Sequence, residues 1–550
     1  METSAELVVN AAGCHLLKRG RNFLPALLLG AAALAVVAAR PAMVSAQKYG
    51  GELHAMMREG WPSMSIHEES TSSATWPMMP VFNNLVLYDP ARPVESTEHL
   101  IGELAESWSW SPDFRRLTFK LRHGVTWHDG KPFTSADAKY TLDLVRGAGE
   151  KRLKRNPRKS WFENVQEVTT NGDFEVSVVV KNPQPSLLSM LASTYSPMYP
   201  AHIEPDAMRL NAVGTGPFMV KSAKADEELL LVKNPHYFVK GRPYLDAVRY
   251  IVIKSRPTRF NALIAGQLDT AMPGEGTVSI RDQVTSAVPK MVVWTVAFND
   301  STNVLLNHKK PPFDNLKVRQ AVNLALDRNS LIKSVYRGGL LPSGANLPPP
   351  YGEWGLPESE LADLPGWGDP VKNKAEARQL LAEAGYGPNN PLKITVSSRS
   401  VQSYVDVAVW MISQFKEVDI EAQLETFETT VWYSKLARHD FLIATNLTGP
   451  GAEDPDANYF ENYLCGSARN YTDYCNKEVE EMIFKQSQEA NKTKRLEMVR
   501  AIDRRLQMDG ARPILGEILD YFMAWPYVKG LVPENNIHNY SRMQDVWLDK

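Results

Sequence analysis

The sequence has 550 residues, of which 43% are hydrophobic and 23% charged, and a formal net charge of -2. That balance is ordinary for a globular protein, and the length suggests more than one lobe. The near-neutral total excludes a bulk electrostatic case for a nucleic-acid partner.

The chain opens with the pattern of an export signal. Lys18, Arg19 and Arg21 form a basic start, residues 23–39 are apolar, and Val44-Ser45-Ala46 supplies small residues for cleavage before Gln47. The alternative is an uncleaved anchor, but the 17-residue stretch carries Pro25 and is short against the roughly 20 residues that span a bilayer. Residues 1–46 are therefore expected to leave as a signal peptide, with Cys14. The mature protein is expected in the periplasm.

Beyond the leader, strand-like and helix-like segments alternate. Residues 176–180 are mostly β-branched and predict a strand, and 52–57, 248–253, 291–298, 392–396 and 441–445, rich in apolar residues, read the same way. Thr134 followed by Asp137 predicts a capped helix start, with Ala138, Leu142 and Val145 on one face. Val318, Val322, Ala325 and Leu326 give a second apolar face. Asn373 with Glu376 predicts a cap for a helix lined by Ala377, Leu380, Leu381 and Ala384 and stopped at Gly385. Leu496, Val499, Ile502 and Leu506 predict another, ended by Gly510 and Pro513. Residues 338–369, rich in Pro and Gly, predict a long ordered loop. The basic run 151–155 reads as a solvated loop. This mixture predicts a layered α/β architecture.

Cys465 and Cys475 form an even pair in a compartment that permits disulfides, and are expected to be bonded; two free thiols are the alternative. No catalytic spacing emerges. His67-Glu68-Glu69 lacks the second His of a zinc protease motif, and there is no Gly-x-Ser-x-Gly elbow and no Gly-rich phosphate loop. The 11 His residues do not cluster at ligand spacing. No cofactor, no metal and no enzymatic activity are expected.

Five blocks then resemble a known family. They are Trp127-His128-Asp129-Gly130-Lys131-Pro132-Phe133 with the preceding 104–108 and 119–125; Gly214-Thr215-Gly216-Pro217-Phe218 with 234–237 and 241–246; Phe313-Asp314-Asn315 with 318–321 and 325–328; residues 377–386; and Asp454-Pro455-Asp456 with 470–476. Together they resemble the family 5 extracytoplasmic solute-binding proteins of ABC importers, the dipeptide-, oligopeptide- and nickel-binding type. The resemblance implies two α/β lobes joined by a hinge, a periplasmic-binding-protein fold with an extra small domain in the first lobe. Lobe I would comprise 47–82, 205–300 and 515–550, the small domain 83–204, and lobe II 301–514. The implied function is capture of a small peptide or peptide-like ligand between closing lobes, for delivery to the membrane permease subunits of an ABC importer. The protein is expected to act as a monomer. A non-peptide solute (an opine, sugar conjugate, metal chelate or haem) is the alternative ligand. A periplasmic hydrolase, or a binding protein serving a chemoreceptor, is the alternative role.

Candidate ligand residues follow from strand ends and from the family. Asn446, Thr448 and Gly449 close the strand-like run that begins at Phe441, where open α/β sheets place ligands. Dipeptide-binding relatives anchor the ligand's amino group on an Asp after Thr-Gly; Pro450 stands there in this chain. Glu453 or Asp454 could substitute, or both could be turn residues. Arg399 lies where relatives hold a ligand carboxylate, a task its fork suits, or it is an exposed surface Arg. Trp61 and Met64 either wall the ligand or pack in the core. Trp432 and Tyr433 read as core residues ahead of a helix.

Overall fold

The computed structural model describes residues 47–539 and 542–550. The expected signal peptide and Cys14 lie outside the described residues, in the segment Met1–Ala46. Among the described residues, no helix is long and apolar enough to cross a membrane.

Three sheets organise the chain. The first is four-stranded, in the order Glu52–Met57, Ala247–Val252, Glu228–Lys233, Phe218–Lys224. Its first pair is parallel and the others are antiparallel. The second is six-stranded, in the order Leu340–Leu341, Ile514–Ala524, Val292–Leu306, Ile443–Thr448, Leu392–Arg399, Ile420–Phe427. The third is an antiparallel sheet of Ala105–Trp110, Arg116–Leu121, Glu175–Val180 and Val165–Thr170.

Two long strands tie the first two sheets together. Val292–Leu306 and Ile514–Ala524 pair along most of their length, and Thr270 bridges both Ala55 of the first sheet and Ala524 of the second. Their pairing slips between Ala297 and Ser301. The slip leaves Asn299 and Asp300 outside the regular ladder, as a bulge does.

Side-chain period explains most elements. In Leu392–Arg399, Leu392, Ile394 and Val396 are buried while Lys393 and Thr395 are exposed; Ser397, Ser398 and Arg399 are then buried in succession. The strand thus starts half-exposed on the second core, with Val322, Met411 and Phe415, and ends enclosed and polar. The helix Ser135–Arg146 starts as expected: the Thr134 amide donates to the Asp137 carboxylate at 3.0 Å, and Gly147 ends it with φ +73°.

Other expectations need correction. The helix Pro370–Glu383 is capped by Asp369, whose carboxylate accepts from the Val371 amide at 2.9 Å. Asn373 sits inside the helix, its amide donating to the Trp367 carbonyl. Asp before Pro combines the N-cap preference with the fixed φ suited to the first helical position. The loop 338–369 holds a two-residue strand and a one-turn helix, Glu358–Leu361, and carries its own small core of Leu356, Leu361, Leu364 and Trp367. Trp432 and Tyr433 lie inside the helix Thr429–Ala437, not ahead of it. Cys465 and Cys475 are joined, as expected.

Candidate functional site

A cavity opens where the first and second sheets meet, with about 930 Å³ unfilled by protein atoms, its open mouth included. Its wall is built from segments far apart in sequence. Arg58 directly follows the first strand and Ser72 opens the helix Ser72–Met78; a loop beside that sheet gives Gly274 and Thr277. The bulged crossing strand gives Asp300. The second sheet and its helices give Tyr336, Arg399, Tyr404, Tyr433 and Gly449, and the C-terminal segment gives His538.

Positive charge on the first-sheet side is held in place by Glu275. This buried carboxylate accepts from Arg58 at 3.2 Å and Arg256 at 3.4 Å, and from Arg259 more closely still. Burial alone would raise its pKa, but the three guanidiniums hold it down at about 2. Arg58 spends its remaining donors on Ser72 and Ser73.

Arg399 is 1% exposed, so it is not a surface residue. Its guanidinium pairs with Glu59, which follows the first strand, and its Nε donates to Thr429 at 2.8 Å. Thr429 also donates to Glu59. Tyr404 and Tyr433 face the guanidinium at 5.4 and 5.6 Å, within cation–π range. This cluster joins the two sides of the site. It also separates the cavity from an outer groove lined by Trp61, Ser255, Val401 and Glu428.

Gly449 brings two groups close. A Cβ there would lie 3.0 Å from His538 Nε2 and 3.4 Å from an Asp300 carboxylate oxygen. His538 Nδ1 is hydrogen-bonded to the Tyr195 hydroxyl at 3.0 Å, and burial among arginines keeps the ring neutral. Asp300 makes no hydrogen bond or ion pair among the described residues. Burial raises its pKa to about 7, against the pull of Arg58 and Arg469.

The other candidates sit elsewhere. Thr448 accepts from Asn446 at 2.8 Å, from Asn303 at 2.9 Å and from Arg512 at 3.2 Å, so its hydroxyl is occupied inside the sheet. Thr448, Glu453 and Asp454 border a separate narrow space beside Trp354 and Glu517. Asp454 caps the helix Pro455–Asn462 and takes Arg495 in a two-pronged pair at 2.7 and 2.9 Å. Glu453 accepts from the Asn299 amide, and burial beside Glu95 raises its pKa to about 8. Trp61 borders the outer groove, and Met64 is packed in the first core.

Sequence reasoning passed over Arg58, Asp300, Tyr336, Tyr404 and His538, and read Tyr433 as core. Only Asp300 carried a signal: Asn299-Asp300-Ser301 interrupts an otherwise apolar strand.

The pattern of the bacterial extracellular solute-binding proteins, family 5 middle, matches residues 99–470. A putative ABC transporter peptide-binding protein of Brucella ovis is 31% identical over 436 residues, covering 76% of each chain. A probable di/tripeptide-binding protein of Pseudomonas aeruginosa is 26% identical over 458 residues, covering 77% of this chain and 82% of that one. Among solved structures, the periplasmic binding protein DppA of Helicobacter pylori, in complex with the peptide STSA, superposes with TM-score 0.81. It is 20% identical and covers 92% of this chain and 99% of its own.

Proposed function

From its membership of the family 5 bacterial extracellular solute-binding proteins, we propose that the chain captures a short peptide or peptide-like solute in the periplasm and hands it to the permease subunits of an ABC importer. The observation that carries this reading is the cavity between the first and second sheets, walled by both and closed on one side by the Glu59–Arg399–Thr429 cluster. The peptide-binding names of the relatives support the choice of ligand. Residues 1–46 act as the export signal, and the exported chain works as a monomer.

Lobe I, of 47–82, 205–300 and 515–550, with the small domain 83–204, moves against lobe II, 301–514. The hinge lies in the paired crossing strands near the slip at Ala297 and Ser301. A ligand shifts that motion only by binding the closed form better than the open one. No bond is made or broken in the site.

Thermal unfolding of the mature protein against a panel of di- and tripeptides, opines and sugars tests the reading. Peptides should raise the midpoint in proportion to the logarithm of their concentration above Kd. A rise with opines or sugars and none with peptides would replace the peptide ligand, and conversion of any hit would make the protein an enzyme.

A further inference from the structure

We infer that Asp300 anchors a cationic group of the ligand, so that the solute is a compound with a free ammonium, such as a peptide with an unblocked N-terminus. The inference rests on the capture reading above and names what the site selects.

Three observations carry it. Asp300 lines the cavity and is only 7% exposed. It has no hydrogen-bond or ion-pair partner among the described residues, whereas the cavity arginines are committed. Arg58 holds Glu275, Ser72 and Ser73; Arg256 holds Glu275; Arg399 holds Glu59 and Thr429; Arg469 holds Glu461 at 2.5 Å. A buried carboxylate without a partner is costly, and a desolvated ammonium is the group that relieves it. Third, Gly449 leaves the approach to Asp300 open, since the position a Cβ would take is 3.4 Å from its carboxylate oxygen.

The surroundings suit a cation. Asp300 comes from the bulged crossing strand; Glu517, on the neighbouring strand, is held toward its neutral form by burial and by Asp300, so Asp300 is the acidic group that faces the cavity there. Tyr336, Tyr404 and Tyr433 present rings to the same cavity. Neutral His538 adds no competing charge. Arg58 and Arg469 are the positive groups that act on Asp300, each already tied to its own carboxylate. Pro450, beside Gly449, offers only its carbonyl, which accepts from Asn536. Asp300 therefore supplies the negative charge that Pro450 cannot.

The test is calorimetric titration of the mature protein with trialanine, N-acetyl-trialanine and putrescine. Wild type should bind trialanine about 30-fold tighter than its acetylated form, the scale of a buried charge pair losing one partner. Asp300→Asn should bind the two peptides equally. Equal binding of both peptides by wild type overturns the inference while leaving peptide capture standing; so does an Asp300→Asn variant that keeps the full preference. Binding of putrescine alone, lost in Asp300→Asn, overturns the peptide reading and supports the anchor. Silence toward all three overturns both. The acetylation contrast in wild type needs no variant, so it stands even if Asp300→Asn folds poorly.

Discussion

Glu275→Gln should destabilise the protein by about 3–5 kcal/mol, the scale of breaking a buried ion pair from one side. Glu275 is 1% exposed and is the common partner of Arg58, Arg256 and Arg259. Glutamine keeps the shape but leaves three guanidiniums facing one another without a counter-charge. Arg259 would retain the carbonyls of Ile253 and Lys254, at 2.7 and 2.8 Å, so it should stay in place and transmit the repulsion.

The same carboxylate predicts a pH dependence. Its folded pKa is about 2 against an ordinary 4.5. A depressed carboxylate pKa contributes stability that is fully present above about 4.5 and is lost as pH falls toward 2. At about 1.4 kcal/mol per unit, that contribution is about 3 kcal/mol. Denaturant titrations at pH 7, 4.5 and 2.5 check both statements. Wild type and Glu275→Gln should differ widely at pH 7 and converge in acid. Equal midpoints at pH 7 would remove Glu275 as the organiser of this side of the site.

Arg399→Ala should lower ligand affinity about 100-fold without touching the ligand. Arg399 and Glu59 come from opposite sides of the cavity, and the side chain of Glu59 is 15% exposed. Burial pushes the Glu59 pKa up, and Arg399 and Arg58 bring it below its ordinary value. Without Arg399, closing the cavity leaves the Glu59 carboxylate with the Ser73 and Thr429 hydroxyls and only the more distant Arg58, at 3.7 Å, at a cost of about 3 kcal/mol. Apparent affinity falls with the fraction of molecules able to close. Glu59→Gln should weaken binding in the same direction, and the double variant should be less than additive. Small-angle scattering with saturating ligand should show a larger mean radius for Arg399→Ala than for wild type. If Arg399 instead gripped a ligand carboxylate, amidating that carboxylate would cost wild type the same factor and Glu59→Gln would cost little.

The regular elements were readable because period alone decides them. Val176, Val178 and Val180 are buried in the strand Glu175–Val180, and Thr134 with Asp137 starts its helix. Helix starts misled where two caps competed: Asn373 looked adequate, but Asp369-Pro370 is stronger. The joining of the sheets was not readable from local pattern. It depends on Thr270 meeting Ala55 and Ala524, residues hundreds of positions apart.

The site divides the same way. Arg399 and Gly449 could be singled out because strand ends are local features, and both line the cavity. Arg58, Asp300 and His538 come from three distant segments, and no local pattern brings them together. Trp432 and Tyr433 both read as core ahead of a helix; they lie on the helix, where adjacent residues face different ways, so Trp432 is buried while Tyr433 lines the cavity. Asp454 stood as a substitute anchor or a turn residue, and it is a helix cap paired with Arg495.

Mass spectrometry of what the protein retains is the most direct test of capture without chemistry. The mature protein would be incubated with a defined mixture of short peptides, freed of unbound material, and denatured to release its cargo. The account predicts that peptides are recovered at their input masses, one per chain at saturation, and that a bulky residue at Gly449, such as Gly449→Trp, abolishes recovery. Recovery of cleaved or otherwise altered peptides, or equal retention by Gly449→Trp, would contradict it.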